Sequence, residues 1–379
     1  MWRRFLALAK KELRQVRRDR RTLAVLLLIP AVWLVLFGYA LNFDVKHLPL
    51  GVMDHDRTSS SRDFAARFGR TEYFDLVRFL ERPEEADAAL AREELAVVLT
   101  IPPEFGAALA SGRQARVQIL LDGSNSTIAG AAAGYAAAIA REASVQLSVE
   151  AMERRGGLAP APPLDFLPRV RYNPELKSIN FFLPGLMGLI LTITAVVSIA
   201  LSIVRERERN TMEQLAISPV TPLELIAGKT LPYLVISLGA AFLILLAGWA
   251  LFGVVVAGSR FMLLAGTVLF LTACLGMGML ISTLVETQQA AFQLALLAVL
   301  LPSFLLSGFV FPIRNMPLVI QWITLAVPAR YYLVVLRDII LKGAGPGAYW
   351  DQFAFLALFA ALTLAVAAAR MSRGRRVGP

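Results

Sequence analysis

The residues nearest to a reactive signature are Ala227-Gly228-Lys229-Thr230, which read like the end of a phosphate-binding loop. In such a loop the lysine reaches the terminal phosphates and the hydroxyl ligates magnesium. The loop also needs a glycine five residues before the second one, so that its amides can curl around phosphate, and position 223 is leucine. The segment follows Thr221-Pro222-Leu223-Glu224, a helix-start signature with proline at the first helical position, so its amides are expected to be engaged in a helix. Lys229 therefore reads as a residue snorkelling at a membrane boundary. Other chemistries lack their residues. There is no GxSxG elbow and no HExxH pair, and Glu84/Glu85 and Glu93/Glu94 read as solvated faces. Cys274 is the one cysteine and the two histidines, His47 and His55, stand apart, so neither an intrachain disulfide nor a structural zinc is expected. The chain is read as having no catalytic site, metal or cofactor of its own.

The elements that must position these residues are membrane spans. At 57% hydrophobic residues, the chain exceeds the roughly 45–50% of soluble proteins. A span is about 20 apolar residues that satisfy their own backbone as a helix. Six stretches qualify, at 22–41, 178–204, 230–256, 261–285, 290–311 and 352–369, and none has Asp, Glu, Lys or Arg in its interior. The first exceeds the 7–15 apolar residues of a signal peptide and lacks a small-residue cleavage site, so it is expected to be retained.

Charge sets the orientation. Residues 1–21 carry nine Lys/Arg against Glu12 and Asp19, and Arg370, Arg373, Arg375 and Arg376 follow the last span. The positive-inside rule puts both termini in the cytoplasm, which agrees with an even number of spans. The net charge of +10 then reflects topology, and no nucleic-acid partner is expected.

Residues 1–21 form a basic amphipathic segment. Trp2, Phe5, Leu6, Ala9, Leu13 and Val16 recur at helical spacing, as in an interfacial elbow helix on the cytoplasmic leaflet. Residues 42–177 are expected outside. Apolar runs at 48–53, 73–80, 95–101 and 117–121 alternate with helical segments at 59–68, 83–91 and 103–110, an α/β pattern. A long helix over 124–155 and a proline-rich arm over 159–174 return the chain to the membrane. Residues 312–350 hold two short apolar pieces, 316–326 and 328–341, expected to lie at the outer interface or to re-enter.

Charge-free spans disfavour an ion-coupled carrier, which needs buried ionisable groups or broken helices. Energy must then come from a partner. The natural dock is the charged island 205–229, where Thr211-Met212-Glu213-Gln214 is a second capping box and Pro219 ends a short helix. A membrane-anchored sensing protein is the alternative from another class, and its cytoplasmic parts leave no room for an output domain.

RERERNTMEQLAISPVTPLELIAGKTLPY, FVFPIRNMPLVIQWITLAVPARYYLVVLRDIILKG, LPLGVMDHDRTSSSR and IPPEFGAALASGRQARVQILLDGSNS together resemble the type-2 ABC transporter permeases, in particular the bacterial multidrug-export-like subgroup with a large domain after the first span. Asn210 stands where that pattern has glycine. The resemblance implies a polytopic α-helical membrane protein of six transmembrane helices, with an inserted extracytoplasmic α/β domain and an N-terminal elbow helix, in the bacterial cytoplasmic membrane. It implies export of hydrophobic or amphiphilic compounds. The partners implied are separate ATPase subunits that carry ATP and magnesium, a second permease chain (identical or not), the bilayer and a candidate periplasmic adaptor. The coupling role falls on Arg205, Glu206, Arg207, Glu208, Thr211, Met212, Glu213, Gln214, Leu215, Ser218 and Pro219. Elbow contacts fall on Trp2, Phe5, Leu6, Leu13 and Val16. The outer re-entrant region is marked by Pro312, Met316, Pro317, Pro328, Arg330 and Arg337.

Overall fold

The computed structural model describes residues 2–40, 45–154, 171–173, 177–209, 211 and 221–376. Nearly all of the proline-rich arm expected at 159–174 lies outside these residues. The chain divides into two units, Met1–Asn42 with Arg169–Pro379, and Phe43–Pro168.

The first unit begins with α1 (Trp2–Arg18) and α2 (Arg20–Ala40). The chain then forms the second unit: β1 (Leu48–Asp54), α3 (Ser59–Gly69), β2 (Phe74–Phe79), α4 (Pro83–Ala91), β3 (Val97–Ile101), α5 (Phe105–Ser111), β4 (Gln118–Leu121) and α6 (Ser126–Arg154). All four apolar runs read as strand material become strands. They lie in the order β2-β1-β3-β4, with β1 parallel to β2 and β3, and β4 antiparallel to β3. The central strands are covered on both faces, as parallel strands require. Leu50 and Val52 join Phe64, Phe68 and Ile139 in one core, while Met53 and Val98 pack with Ala86 and Ala89 in another. Loops after β1 and β3 are tied together by Asp56, whose carboxylate accepts from Thr58 Oγ1 (2.5 Å) and from the Gly106 N–H (2.9 Å).

The first unit resumes with α7 (Ser178–Glu208), α8 (Pro222–Phe252), α9 (Arg260–Ser282), α10 (Gln288–Leu306), α11 (Leu318–Ile323), α12 (Pro328–Ile340) and α13 (Trp350–Arg376). Six helices are long and apolar enough to cross a membrane, namely α2, α7, α8, α9, α10 and α13. The core is built around α7, whose most apolar window is 78% buried against 17% for that of α2, so α2 offers its surface to surroundings outside the chain. Close approach of α7 and α9 depends on Gly278, where a Cβ would stand 2.3 Å from Ile199 Cγ2 and 2.5 Å from the Val196 carbonyl oxygen.

Several boundaries differ from the expected spans, each for a local reason. The helix of the second span runs through RERE to Glu208, because those side chains find partners inside the chain. The third stops at Phe252, since Gly253 takes φ +66 and closes the helix, where 256 was expected. The fifth ends at Leu306 rather than 311, and its backbone widens to a π-turn over Leu296–Leu300, directly before Pro302, whose ring cannot follow a regular turn. The last helix continues through the basic tail to Arg376. The two short outer pieces form α11, with a 3-10 turn at Thr324–Ala326, and α12, bent by 87° at Val327.

Candidate functional site

The island 205–229 gathers the ends of α1, α7, α8 and α10. The capping box expected at Thr221-Pro222-Leu223-Glu224 forms: Thr221 Oγ1 accepts from the Glu224 N–H (3.3 Å), and Glu224 Oε2 accepts from the Thr221 N–H (2.8 Å). That fixes where α8 starts, and hence which residues its first two turns present. The opposite side, the C-terminal end of α7, carries Glu206.

Lys229 does not snorkel. It is 0% exposed, and its ammonium lies 3.2 Å from Glu12 Oε1 and 2.6 Å from Glu206 Oε2. The longer contact is a hydrogen bond; the shorter is an ion-pair contact whose angles fall outside hydrogen-bond geometry. Lys11 Nζ donates to Glu206 Oε1 (2.7 Å) and Glu12 Oε1 (3.2 Å). Two lysines and two glutamates thus form a neutral quartet joining α1, α7 and α8, with Glu12 1% and Glu206 5% exposed. Snorkelling fails because α1 covers the start of α8 and denies Lys229 a route to water. Burial works against the Lys11 ammonium, but its hydrogen bond to Glu206 and the two carboxylate charges outweigh that, so its pKa stands above the ordinary lysine value.

The other charges of the RERE run hold the start of α10, the α9–α10 loop and the α1–α2 junction. Arg205 Nε donates to Gln288 Oε1 (3.2 Å), and its guanidinium lies 3.8 Å from Asp19, between α1 and α2. Arg207 donates to the Val285 carbonyl (2.8 Å) in the α9–α10 loop. Glu208 accepts from the Gln288 N–H (2.7 Å) and from the Gln288 side-chain amide, placing a carboxylate at the positive end of α10. Thr211 Oγ1 donates to the Glu206 carbonyl (3.1 Å). Met212, Glu213, Gln214, Leu215, Ser218 and Pro219 lie outside the described residues, and so does the short helix expected over 211–217.

The elbow stripe is divided between two faces. Leu8, Ala9, Glu12 and Val16 are buried, and Leu8 sits where Gly228 has no side chain: a Cβ there would stand 2.7 Å from Leu8 Cδ2. Leu6 and Leu13 are exposed, and Phe5 is half-buried. Trp2 belongs to α1, but its side chain lies outside the described set. Sequence reading had missed Leu8, Glu12, Gln288 and Val285. Glu12 carried a signal: it is the single acid within a helix otherwise crowded with Lys and Arg.

At the other end of this unit, Pro312 and Pro317 precede the turns Ile313–Asn315 and α11, and Met316 links them. Pro328 opens α12. Arg330 reaches the Gln321 carbonyl (3.3 Å) and the Thr324 hydroxyl, pinning the bend. Arg337 lies 4.2 Å over the Phe181 ring and donates to the Gly308 carbonyl (3.1 Å), closing the C-terminal end of α10. An apolar cavity of about 220 Å³ opens nearby, lined by Leu183, Leu245, Trp249, Val254 and Ile340, with Arg260 as its charged residue.

These groups hold helices in register. Among the described residues no cluster of three or more His, Cys, Asp or Glu could ligate a metal, and the Lys229 ammonium is occupied by carboxylates. Comparison with known proteins gives the family. The family described as ABC-2 family transporter protein matches residues 20–369. The chain is similar to the probable multidrug ABC transporter permease YbhS of Escherichia coli, at 33% identity over 346 residues, covering 91% of this chain and 90% of that protein. It is 31% identical to the probable multidrug ABC transporter permease YbhR of the same organism over 373 residues, covering 98% and 99%. It is 28% identical to the inner membrane transport permease YhhJ, again from Escherichia coli, over 349 residues, covering 90% of each.

Proposed function

The chain belongs to the ABC-2 transporter family, and on that premise we propose that it is the permease of an exporter whose ATP is bound and hydrolysed by a separate ATPase. It is a membrane permease; the partner, the direction and the cargo are our reading. The observation that carries it is the buried quartet. A motor acting on the island 205–229 needs a joint that moves as one body, and four opposed charges, three of them buried among α1, α7 and α8 and the fourth, Lys11, at their rim, make such a joint. Under this reading the helix at 211–217 receives the ATPase, with Thr211, Met212, Glu213, Gln214, Leu215, Ser218 and Pro219 as its contact region. Arg205, Glu206, Arg207 and Glu208 pass its movement to α1, α8 and α10.

The cargo is hydrophobic or amphiphilic, which charge-free span interiors favour, and the relatives named as multidrug permeases support it. Two permease chains assemble, both termini face the cytoplasm and residues 42–177 lie outside. The exposed Leu6 and Leu13 of α1 face lipid, and its buried side faces α8. An adaptor on the outer side completes the assembly.

The test is co-purification of a candidate ABC ATPase subunit, one that the unaltered chain retains, with tagged chain carrying Glu213→Lys. Loss of the ATPase, with the permease still folded and membrane-inserted, is expected. Full retention together with normal efflux removes the 211–217 helix from the mechanism.

A further inference from the structure

Strand β2 (Phe74–Phe79) is an edge of its sheet, and it lacks the apolar shielding of the strands inside. Leu76 is 38% exposed, Val77 57% and Phe79 61%. An edge strand presents a row of backbone groups ready to pair with another strand, and natural proteins guard such edges by shortening them or by setting charge at their middle. Here the middle is Leu76-Val77, and the charges flank it with opposite signs, Asp75 before and Arg78 after.

The pairing of β2 with β1 decides which way these side chains point. Pro49 pairs with Asp75 and Gly51 with Arg78, while Leu48, Leu50 and Val52 pair with Phe74, Leu76 and Phe79. Neighbours two apart on β1 share a face, so the register shift between Leu50 and Gly51 puts Asp75 and Arg78 on one face although they are three apart. It likewise puts Phe74, Leu76 and Phe79 together on the other. Without the shift, residues three apart would fall on opposite faces.

A strand with that arrangement is complementary to itself. In an antiparallel pair about a two-fold axis passing between Leu76 and Val77, Asp75 stands opposite Arg78 of the second copy, and Phe79 opposite Phe74. Each contact then occurs twice, as an isologous interface requires. Directly opposed residues share a face in such a ladder, and opposite-charge pairs are among those that stabilise it; Phe74 is buried in its own unit, so the two Asp75–Arg78 pairs carry the match. Asp75 and Arg78 have exposed partners in their own copy, His47 (3.2 Å) and Glu94 (3.0 Å), so pairing extends an existing rim of charge rather than burying lone ions.

We propose that β2 is the docking edge for a second copy of this chain, joining two four-stranded sheets into one through antiparallel β2–β2 pairing. The inference rests on the reading that two permease chains assemble, since a membrane-bound pair holds its second units at high effective concentration and so favours a short strand contact.

The experiment uses the full chain in membranes, in a Cys274→Ser background, with two tagged copies co-expressed. One copy carries Asp75→Cys and the other Arg78→Cys. Mild oxidation is expected to yield a mixed-tag covalent dimer, with little from Asp75→Cys alone or from the exposed control Glu84→Cys. A second readout avoids cysteine. Asp75→Arg on both copies sets like charges opposite each other and is expected to speed amide exchange across 74–79, and adding Arg78→Asp restores protection. Equal cross-linking in the controls, or exchange that the double reversal fails to restore, overturns the proposal. The mass of the solubilised, uncross-linked complex separates the two readings. A dimeric mass without the mixed disulfide overturns the β2 contact and leaves the dimer standing, and a monomeric mass overturns both.

Discussion

Lys229 is the residue at which physical context overrode the sequence pattern. A lysine at the start of an apolar run reads as a snorkelling anchor, once Leu223 has removed the phosphate-loop reading. Snorkelling fails because α1 lies over Lys229 and brings Glu12 to within 3.2 Å. Nothing in the spacing along the chain announces a contact between residues 12 and 229; it arises from how α1 folds back. A buried ion pair with one partner removed leaves an uncompensated charge and costs on the order of 3–5 kcal/mol. Lys229→Met or Glu206→Gln alone is therefore expected to lower the unfolding temperature of the detergent-purified chain strongly. The double variant, which removes one charge of each sign, is expected to recover most of the loss. Equal losses for the single and double variants would show that the quartet is not a coupled unit. The raised pKa of Lys11 gives its sign directly: its stabilising contribution is complete below about pH 10 and is lost as pH rises through the folded value, so Lys11 does not switch in the physiological range.

At the scale of elements, much of the architecture was legible. Strand β3 is bounded by charged and proline residues, α4 opens on Pro83, α6 runs without proline, and the spans are unbroken apolar runs, so local chemistry fixes each of them. What the sequence withheld is where faces point. The α1 stripe was read as a single lipid-facing surface, yet Leu8, Ala9, Glu12 and Val16 turn to the protein and leave Leu6 and Leu13 outside. Helical spacing reveals an apolar face but not its partner. The RERE run reads as part of an external dock, whereas Arg205, Glu206, Arg207 and Glu208 grip α10, the quartet and the α9–α10 loop. The α1–α8 contact can be opened without touching charge. Gly228→Leu places a side chain where Leu8 sits, a clash worth about 1–3 kcal/mol. The expected outcome is faster hydrogen exchange in residues 2–18 with little change in α9; unchanged exchange in α1 would mean that Leu8 does not anchor it.

For the whole molecule, six apolar spans and two basic ends, which the positive-inside rule assigns to the cytoplasm, give a proposed topology that single reporters can check. In intact cells with a Cys274→Ser background, Glu84→Cys is expected to react with an impermeant maleimide, whereas Arg209→Cys reacts only after permeabilisation. The reverse pattern would invert the chain in the membrane and put the island on the wrong side for a cytoplasmic motor. The larger claim is that this chain converts the work of a separate ATPase through the joint at 205–229. It is tested most directly in proteoliposomes holding the chain and the ATPase subunit it co-purifies with, by measuring amphiphile efflux per ATP hydrolysed for wild type and for the Lys229→Met/Glu206→Gln double variant. The account predicts no efflux without the ATPase. It predicts that the double variant binds the ATPase and hydrolyses ATP while moving markedly less cargo per ATP. Efflux by the permease alone, or an unchanged ratio in the double variant, would contradict it.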